Sequence, residues 1–340
     1  MDKNLLIETS AALLVKGKGL LAMDESTSTC NKRFAALNIP QTEQCRLAYR
    51  ELILSTPHLN DFISGTILFD ETIRQSTKDG TPFLKLLAMA RIIPGIKVDL
   101  GAKQLAGFPR EKVTEGLDGL RDRLEQYFEM GARFAKWRAV FSISRDNPSI
   151  GCVMANAHAL ARYAALCQEA GLVPIIEPET LMEGDHTLAQ CSATTEGVLR
   201  CVFDQLYQQN VLLEGMILKP NMVLPGLNCT KQESVDEVAE VTVKCLLRAV
   251  PAAVPGVAFL SGGQSAELAS ARLSAMNLKF RAHLPWELTF SFARAIQQPA
   301  LEIWRGQDSN IEDAQKALYH RARCNHEAQL GNYSSTMEPL

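Results

Sequence analysis

Short apolar runs that alternate with helical periodicity constrain this chain more than any other feature. Eight such runs occur, at 20–23, 62–69, 91–98, 132–137, 173–177, 215–218, 257–260 and 288–292. Each suits a strand buried on both faces and is too short for an ordinary helix. Between them, apolar residues recur at helical spacing over 42–56, 115–130, 156–170, 194–210, 233–250, 265–276 and 309–328. The 115–130 pattern carries Leu117, Leu120, Leu124, Tyr127 and Phe128 and stops at Gly131, a helix C-terminal signal. The 309–328 pattern opens with Ser309 and Asn310, and Glu312 and Asp313 complement the dipole of its first turn. Strand and helix in this alternation predict an α/β fold, a single-domain (β/α)8 TIM barrel over residues 1–328. The stretch from 69 to 93 is extra to the repeat. Residues 329–340 are polar, contain Gly331 and Pro339, and read as a tail that frays or lies over the surface.

The bulk properties exclude several classes of function. A formal net charge of −3 over 340 residues favours neither nucleic acid nor an anionic membrane as partner. No apolar stretch reaches the ~20 residues that span a bilayer. The N-terminus, Met1-Asp2-Lys3-Asn4, lacks the apolar core of a signal peptide and the Arg-rich make-up of a transit peptide. Those features predict a cytoplasmic location. Nine scattered cysteines with no C-x-x-C argue against a disulfide framework or a zinc ribbon. Six histidines form no H-x-x-x-H or H-x-H pair, so no metal site is expected.

In such a barrel, catalytic residues occupy the carboxyl ends of the strands. Here those ends carry Asp24, Lys97, Lys136, Arg138, Glu177, Glu179, Lys219, Ser261 and Arg294. Lys219 closes the apolar run Gly215-Met216-Ile217-Leu218 and is followed by Pro220-Asn221-Met222. Burial there disfavours its ammonium form and frees the amine as a nucleophile, and Lys136 and Lys97 add like-charge repulsion. An amine that attacks a carbonyl makes a Schiff base, an electron sink for breaking or forming a carbon–carbon bond. The plainer reading is a lysine that snorkels into water. Glu177 and Glu179 are expected on alternate faces of their strand, with one facing the barrel centre unless Pro178 bends the chain and brings both to the mouth. Glu177 is a candidate acid/base for carbinolamine dehydration. Asp24 is a candidate acceptor for the hydroxyl proton beside the cleaved bond. The plainer reading pairs all these charges as structural salt bridges across the barrel.

Ser261-Gly262-Gly263 followed by a helix suits an anion, because glycine lets backbone N–H groups close on it and the helix N-terminus adds positive potential. It follows the seventh run, where barrels place phosphate sites. Arg294 offers a charge-assisted fork to the same phosphate. Lys97, Arg138 and the loop from Ser26 to Arg33 make a second cationic patch. Two anion sites around one nucleophile predict a substrate phosphorylated at both ends.

Seven motifs then coincide in order: Leu21-Ala22-Met23-Asp24-Glu25-Ser26-Thr27, Gly95-Ile96-Lys97-Val98-Asp99, Phe134-Ala135-Lys136-Trp137-Arg138, Pro174-Ile175-Ile176-Glu177-Pro178-Glu179, Leu218-Lys219-Pro220-Asn221-Met222, Phe259-Leu260-Ser261-Gly262-Gly263-Gln264-Ser265 and Leu288-Thr289-Phe290-Ser291. Together they resemble class I fructose-1,6-bisphosphate aldolase, from near the N-terminus to about residue 330. The resemblance implies a (β/α)8 fold, usually a homotetramer, with no metal and no cofactor. It implies reversible cleavage of fructose 1,6-bisphosphate to dihydroxyacetone phosphate and glyceraldehyde 3-phosphate, in glycolysis and sugar synthesis. By motif, Lys219 resembles the Schiff-base lysine and Glu177 the general acid/base, with Glu179 in support. Asp24 and Lys136 resemble the partners that move protons around the cleaved bond. Ser261, Gly262, Gly263 and Arg294 resemble the ketone-side phosphate site, and Ser26, Arg33, Lys97 and Arg138 the other. The chain departs from the pattern at Ser28-Thr29, at Ala293 where glycine is common, and at the tail, which ends without tyrosine and whose nearest one is Tyr333. The alternatives are another Schiff-base sugar-phosphate lyase or a non-catalytic scaffold barrel.

Overall fold

The computed structural model describes residues 2–338. Its strands are β1 (Gly19–Ala22), β2 (Ile63–Leu68), β3 (Ile93–Lys97), β4 (Ala102–Gln104), β5 (Lys112–Thr114), β6 (Phe134–Phe141), β7 (Val173–Thr180), β8 (Ile217–Leu218), β9 (Gly256–Phe259) and β10 (Glu287–Phe292). Its helices are α1 (Lys3–Leu13), α2 (Thr27–Ala35), α3 (Glu43–Leu54), α4 (Asp70–Ile73), α5 (Phe83–Ala90), α6 (Leu120–Met130), α7 (Ile150–Glu169), α8 (Leu188–Gln208), α9 (Val235–Ala249), α10 (Ala266–Phe280), α11 (Arg294–Trp304) and α12 (Ile311–Leu330). Eight strands close a parallel barrel in the order β1-β10-β9-β8-β7-β6-β3-β2, and β4 and β5 form a separate antiparallel hairpin. All eight expected strands are present.

Several boundaries differ for local reasons. The helix expected from 115 starts only at Leu120, because Gly116 and Gly119 adopt positive φ, and 112–114 pairs in the hairpin instead. α7 starts at Ile150 rather than 156, capped by the Ser149 side chain on Cys152 N. α8 starts at Leu188, behind a capping box of Thr187 and Gln190. The stretch from Ser26 to Arg33, expected as a loop, is mostly α2, with Ser26 as its N-cap. α11 contains Pro299, which disguises it as a break.

The floor of the barrel is apolar. α1 and its C-cap residue Leu14 close the barrel's amino end: Leu6, Leu13 and Leu14 cluster with Leu20, Ala22, Ile67, Phe134, Val173, Ile175, Ile217 and Ala258. Each such leucine contributes about 1.5–3 kcal/mol by leaving water. The packing leaves no room at two glycines: a Cβ on Gly256 would lie 2.5 Å from Leu14 Cδ2, and one on Gly95 would lie 2.2 Å from Phe134 Cε2. A second, larger cluster joins the outer face of the barrel to the helices.

The chain beyond α12 folds back over the surface. Tyr333 packs against the core, its hydroxyl donates to Glu338 Oε1 at 2.8 Å, and Arg321 ion-pairs with the same carboxylate. The described tail therefore lies on the surface rather than frays. Pro339 and Leu340 fall outside the described residues.

Candidate active site

The inward faces of the strands run from apolar floor to charged rim. Alternation places every second residue of a strand on one face. Ile217 on the floor is thus followed by Lys219 at the mouth, Leu20 and Ala22 by Asp24, and Phe134 by Lys136 and Arg138. Val173 and Ile175 are followed by Glu177 and Glu179. This corrects the expectation for the two glutamates. Residues two apart share a face, so both point inward without a bend, and β7 runs on through Pro178 to Thr180.

These side chains line one cavity of about 780 Å³. At its base two lysines and two carboxyl groups alternate. Lys136 Nζ lies 2.7 Å from Asp24 Oδ2 and 3.0 Å from Glu177 Oε2, and Lys219 Nζ lies 3.1 Å from Glu177 Oε1. All are nearly sequestered: Lys219 and Glu177 are 3% exposed, Lys136 4% and Asp24 8%. Burial opposes the charged form of Asp24, but Lys136 and Lys219 outweigh it and bring the carboxyl down to about 2. Burial likewise opposes charge on Glu177, and Lys136, Lys219 and Arg138 hold it below the usual range. Lys136 is pushed well above the usual lysine range, as Asp24 and Glu177 overcome its desolvation. The expected crowding of lysines is therefore resolved differently. Glu177 stands between Lys136 and Lys219, and Lys97 pairs with Asp99 at 2.6 Å.

Further polar residues border the base. Ser261, Gly262 and Gly263 lead to Ser265, the N-cap of α10. Gly262 and Gly263 adopt φ of 56° and 84°, so only glycine is free of strain at these successive positions. A Cβ on Gly263 would lie 3.5 Å from Arg294 Nη2, which places the guanidinium over the loop. Ala293 has φ −104°, so its methyl brings no left-handed strain. Arg33 and Arg138 also line the cavity, ion-paired with Glu25 and Glu179 respectively, and Arg33 Nη2 donates to Gln298 Oε1 of α11 at 3.1 Å. Glu25 also pairs with Arg50 at 2.8 Å.

Ser26 and Lys97 are not among the residues that line the cavity. Ser26 Oγ caps α2 by accepting from Thr29 N at 3.3 Å, and Lys97 is turned to Asp99 but still lowers Asp24 by its charge. The lining singles out Thr29 and Lys32 within the stretch from Ser26 to Arg33 already read as a cationic patch, and adds Gln298, which no sequence signal marked. The signal for the first two was helical spacing: once Ser26 is read as an N-cap, Thr29, Lys32 and Arg33 share one face of α2.

Comparison with known proteins identifies the family. The profile of the family described as "Glycolytic: Fructose-bisphosphate aldolase class-I" matches residues 5–339. A "Probable fructose-bisphosphate aldolase class 1" from Xanthomonas campestris pv. campestris is 58% identical over 96% of this chain and 98% of its own length. "Fructose-bisphosphate aldolase 6, cytosolic" from Arabidopsis thaliana is 50% identical over 96% of this chain and 91% of its own. A co-crystal structure of fructose-bisphosphate aldolase from Plasmodium falciparum superposes with a TM-score of 0.96 at 45% identity, covering 98% of this chain and 96% of that one. A closed barrel with a buried lysine–carboxylate chain at its carboxyl end thus meets a match over nearly its whole length, and the chain belongs to the class I fructose-bisphosphate aldolase family.

Proposed function

We propose that the family's reaction, reversible cleavage of fructose 1,6-bisphosphate to dihydroxyacetone phosphate and glyceraldehyde 3-phosphate, runs here on Lys219. The protein is a lyase of the Schiff-base class. The observation that carries the residue assignment is Glu177, which stands 3.1 Å from Lys219 and 3.0 Å from Lys136 at the base of the cavity.

The steps follow from that placement. Glu177 accepts the proton that Lys219 sheds as its amine adds to the ketone carbon C2. It then returns a proton to the carbinolamine hydroxyl, which leaves as water and gives the iminium. Asp24, kept ionised by Lys136, takes the proton of the C4 hydroxyl. The C3–C4 bond breaks, the aldehyde leaves, and the electron pair moves into the iminium as an enamine. Protonation at C3 and hydrolysis release dihydroxyacetone phosphate and restore the amine. Gly262, Gly263 and Arg294 hold the ketone-side phosphate. Arg33 and Arg138, with Lys32 and Thr29, receive the other, and Glu25 and Glu179 keep the two arginines aimed.

Two wider readings belong to this proposal. A homotetramer is supported by the family resemblance and by large apolar side chains left at the surface, among them Met89, Ile150 and Leu278. A cytoplasmic location is supported by the Arabidopsis relative, which is described as cytosolic. Among the described residues no helix is long and apolar enough to cross a membrane.

The test is covalent trapping. Borohydride added with dihydroxyacetone phosphate is expected to reduce an adduct onto Lys219, located by peptide mass mapping. A label confined to another lysine, or active protein with no label, overturns the assignment.

A further inference from the structure

The nucleophile stands on the shortest strand of the barrel. β8 contains only Ile217 and Leu218, and its register with β7 is Ile175 with Ile217 and Ile176 with Leu218. Lys219 N still donates to Ile176 O at 2.8 Å. In a parallel strand the N–H and C=O of alternate residues face the same neighbour, so residues 176, 178 and 180 of β7 face β8. Residue 178 is proline and has no N–H for the carbonyl of Lys219. The ladder that should fix Lys219 against Glu177 therefore fails at the level of the reaction.

A side chain resumes it. Thr180 N donates not to a backbone carbonyl of the next strand but to Asn221 Oδ1, at 2.8 Å. Asn221 is 3% exposed. Its Nδ2 donates to Met222 O at 3.0 Å and to Thr195 Oγ1 at 3.4 Å, and Thr195 Oγ1 donates to Thr180 Oγ1 at 3.3 Å. The segment is tied on its far side as well, where Leu260 N donates to Pro220 O at 3.1 Å. Buried backbone that leaves a strand must find partners, and one amide here provides both acceptor and donor.

We propose that Asn221 is a positioning residue for the aldol reaction: its amide replaces the missing β7–β8 ladder and fixes Lys219 against Glu177. Asn221 touches neither substrate nor reacting atom. It acts through the two strand ends that carry the nucleophile and the acid/base. Displacements of about 1 Å from a remote change cost on the order of 10²-fold in rate. The effect falls on carbinolamine formation and dehydration more than on phosphate binding, since the Asn221 amide bonds to Thr180, Thr195 and Met222 and not to the Gly262–Gly263 loop or Arg294.

The inference rests on Lys219 as nucleophile, and one experiment separates the two claims. Parent, Asn221→Ala, Asn221→Asp and Thr195→Val proteins are compared for kcat, KM, the pH profile of kcat, and the rate at which borohydride traps the Lys219 adduct. Asn221→Ala is expected to lower kcat by about 10- to 100-fold with KM within about 3-fold. It should slow trapping in parallel and displace the acid limb of the pH profile. Asn221→Asp keeps the acceptor for Thr180 N and should recover about half of that loss on a logarithmic scale. If parent protein is trapped at Lys219 while Asn221→Ala stays within about 2-fold of it in kcat, the positioning role is refuted and the nucleophile stands. A kcat loss with an unmoved pH profile and no recovery in Asn221→Asp also refutes it, as the mark of a structural role alone. Should Asn221→Ala not fold, Thr195→Val decides: about 3-fold slower trapping supports the proposal, and unchanged trapping overturns it.

Discussion

Two carboxylates in this molecule are held in similar ways and serve different ends. Glu177, at the base of the barrel mouth, and Glu338, in the tail, each contact cationic groups and each is held below the usual carboxylate range. Burial opposes the charge in both, and it is overcome by Lys136, Lys219 and Arg138 in one and by Arg321 and Tyr333 in the other. Glu338 is saturated. Its Oε1 accepts from both Arg321 and Tyr333, and its Oε2 lies 3.5 Å from His320 Nε2. Glu177 is not: Oε2 faces Lys136 at 3.0 Å without hydrogen-bond alignment and has no donor. The first group borders a cavity of about 780 Å³, which the second does not line. Titratable density does not tell them apart, since His320, Cys324 and Glu338 bring ligand-type atoms within 4.8 Å of one another. What marks a reactive site is a charged group with unused hydrogen-bonding capacity beside space for a substrate.

The sharpest way to break that comparison is to exchange the groups in turn. Lys219→Met is expected to lower kcat by at least about 10⁴-fold, since it removes the covalent route. Glu177→Gln keeps the shape and removes the proton carrier, and should cost about 10²- to 10⁴-fold. Glu338→Gln should change kcat by less than about 3-fold. Steady-state assays on fructose 1,6-bisphosphate read all three, and a Glu338→Gln loss as large as that of Glu177→Gln would erase the distinction.

The same cluster makes stability depend on acid. Asp24 falls from an ordinary 3.8 to about 2 on folding, so its contribution is fully present above about pH 4 and is lost as pH drops through 2. The shift corresponds to about 2 kcal/mol. Urea unfolding of parent and Asp24→Asn should therefore differ by about that amount at pH 5, and the gap should close toward pH 2. A gap that stays constant over this range means that Asp24 is not held charged by its lysine neighbours.

The strands and their charged ends were legible because a strand buried on both faces needs an unbroken apolar run, and any charge at its end interrupts the pattern. Lys219, Asp24 and Lys136 announced themselves in this way. Helices with polar or broken faces did not. Ser26-Thr27-Ser28-Thr29 reads as a loop until Ser26 is seen as a cap, and Pro299 hides α11. The lysines and carboxylates of the mouth were countable, but the place of Glu177 between Lys136 and Lys219 was not, because which charges interleave depends on strand order and shear. Asn221 was invisible as well. An asparagine after a proline reads as a turn, and only the β7–β8 register shows that its amide stands in for a missing backbone donor–acceptor pair.

A small effect on turnover is also expected from removal of the whole tail. Removal of residues 333–340 takes away Tyr333 and Glu338 and leaves Arg321, which is 3% exposed, without its carboxylate. A lost charge-assisted bond of this kind costs about 1.5–3 kcal/mol. The truncated protein should therefore melt earlier by a few degrees. Turnover should change far less than in Lys219→Met. The described tail does not line the cavity, and the Tyr333 hydroxyl is committed to Glu338. Burial and that carboxylate also push the phenol well above its ordinary value, which makes it a poor proton donor. A loss of about tenfold or less in kcat agrees with a tail that clips the outer helices. A loss equal to that of Lys219→Met would put the tail inside the chemistry and overturn the separation between the two carboxylate groups.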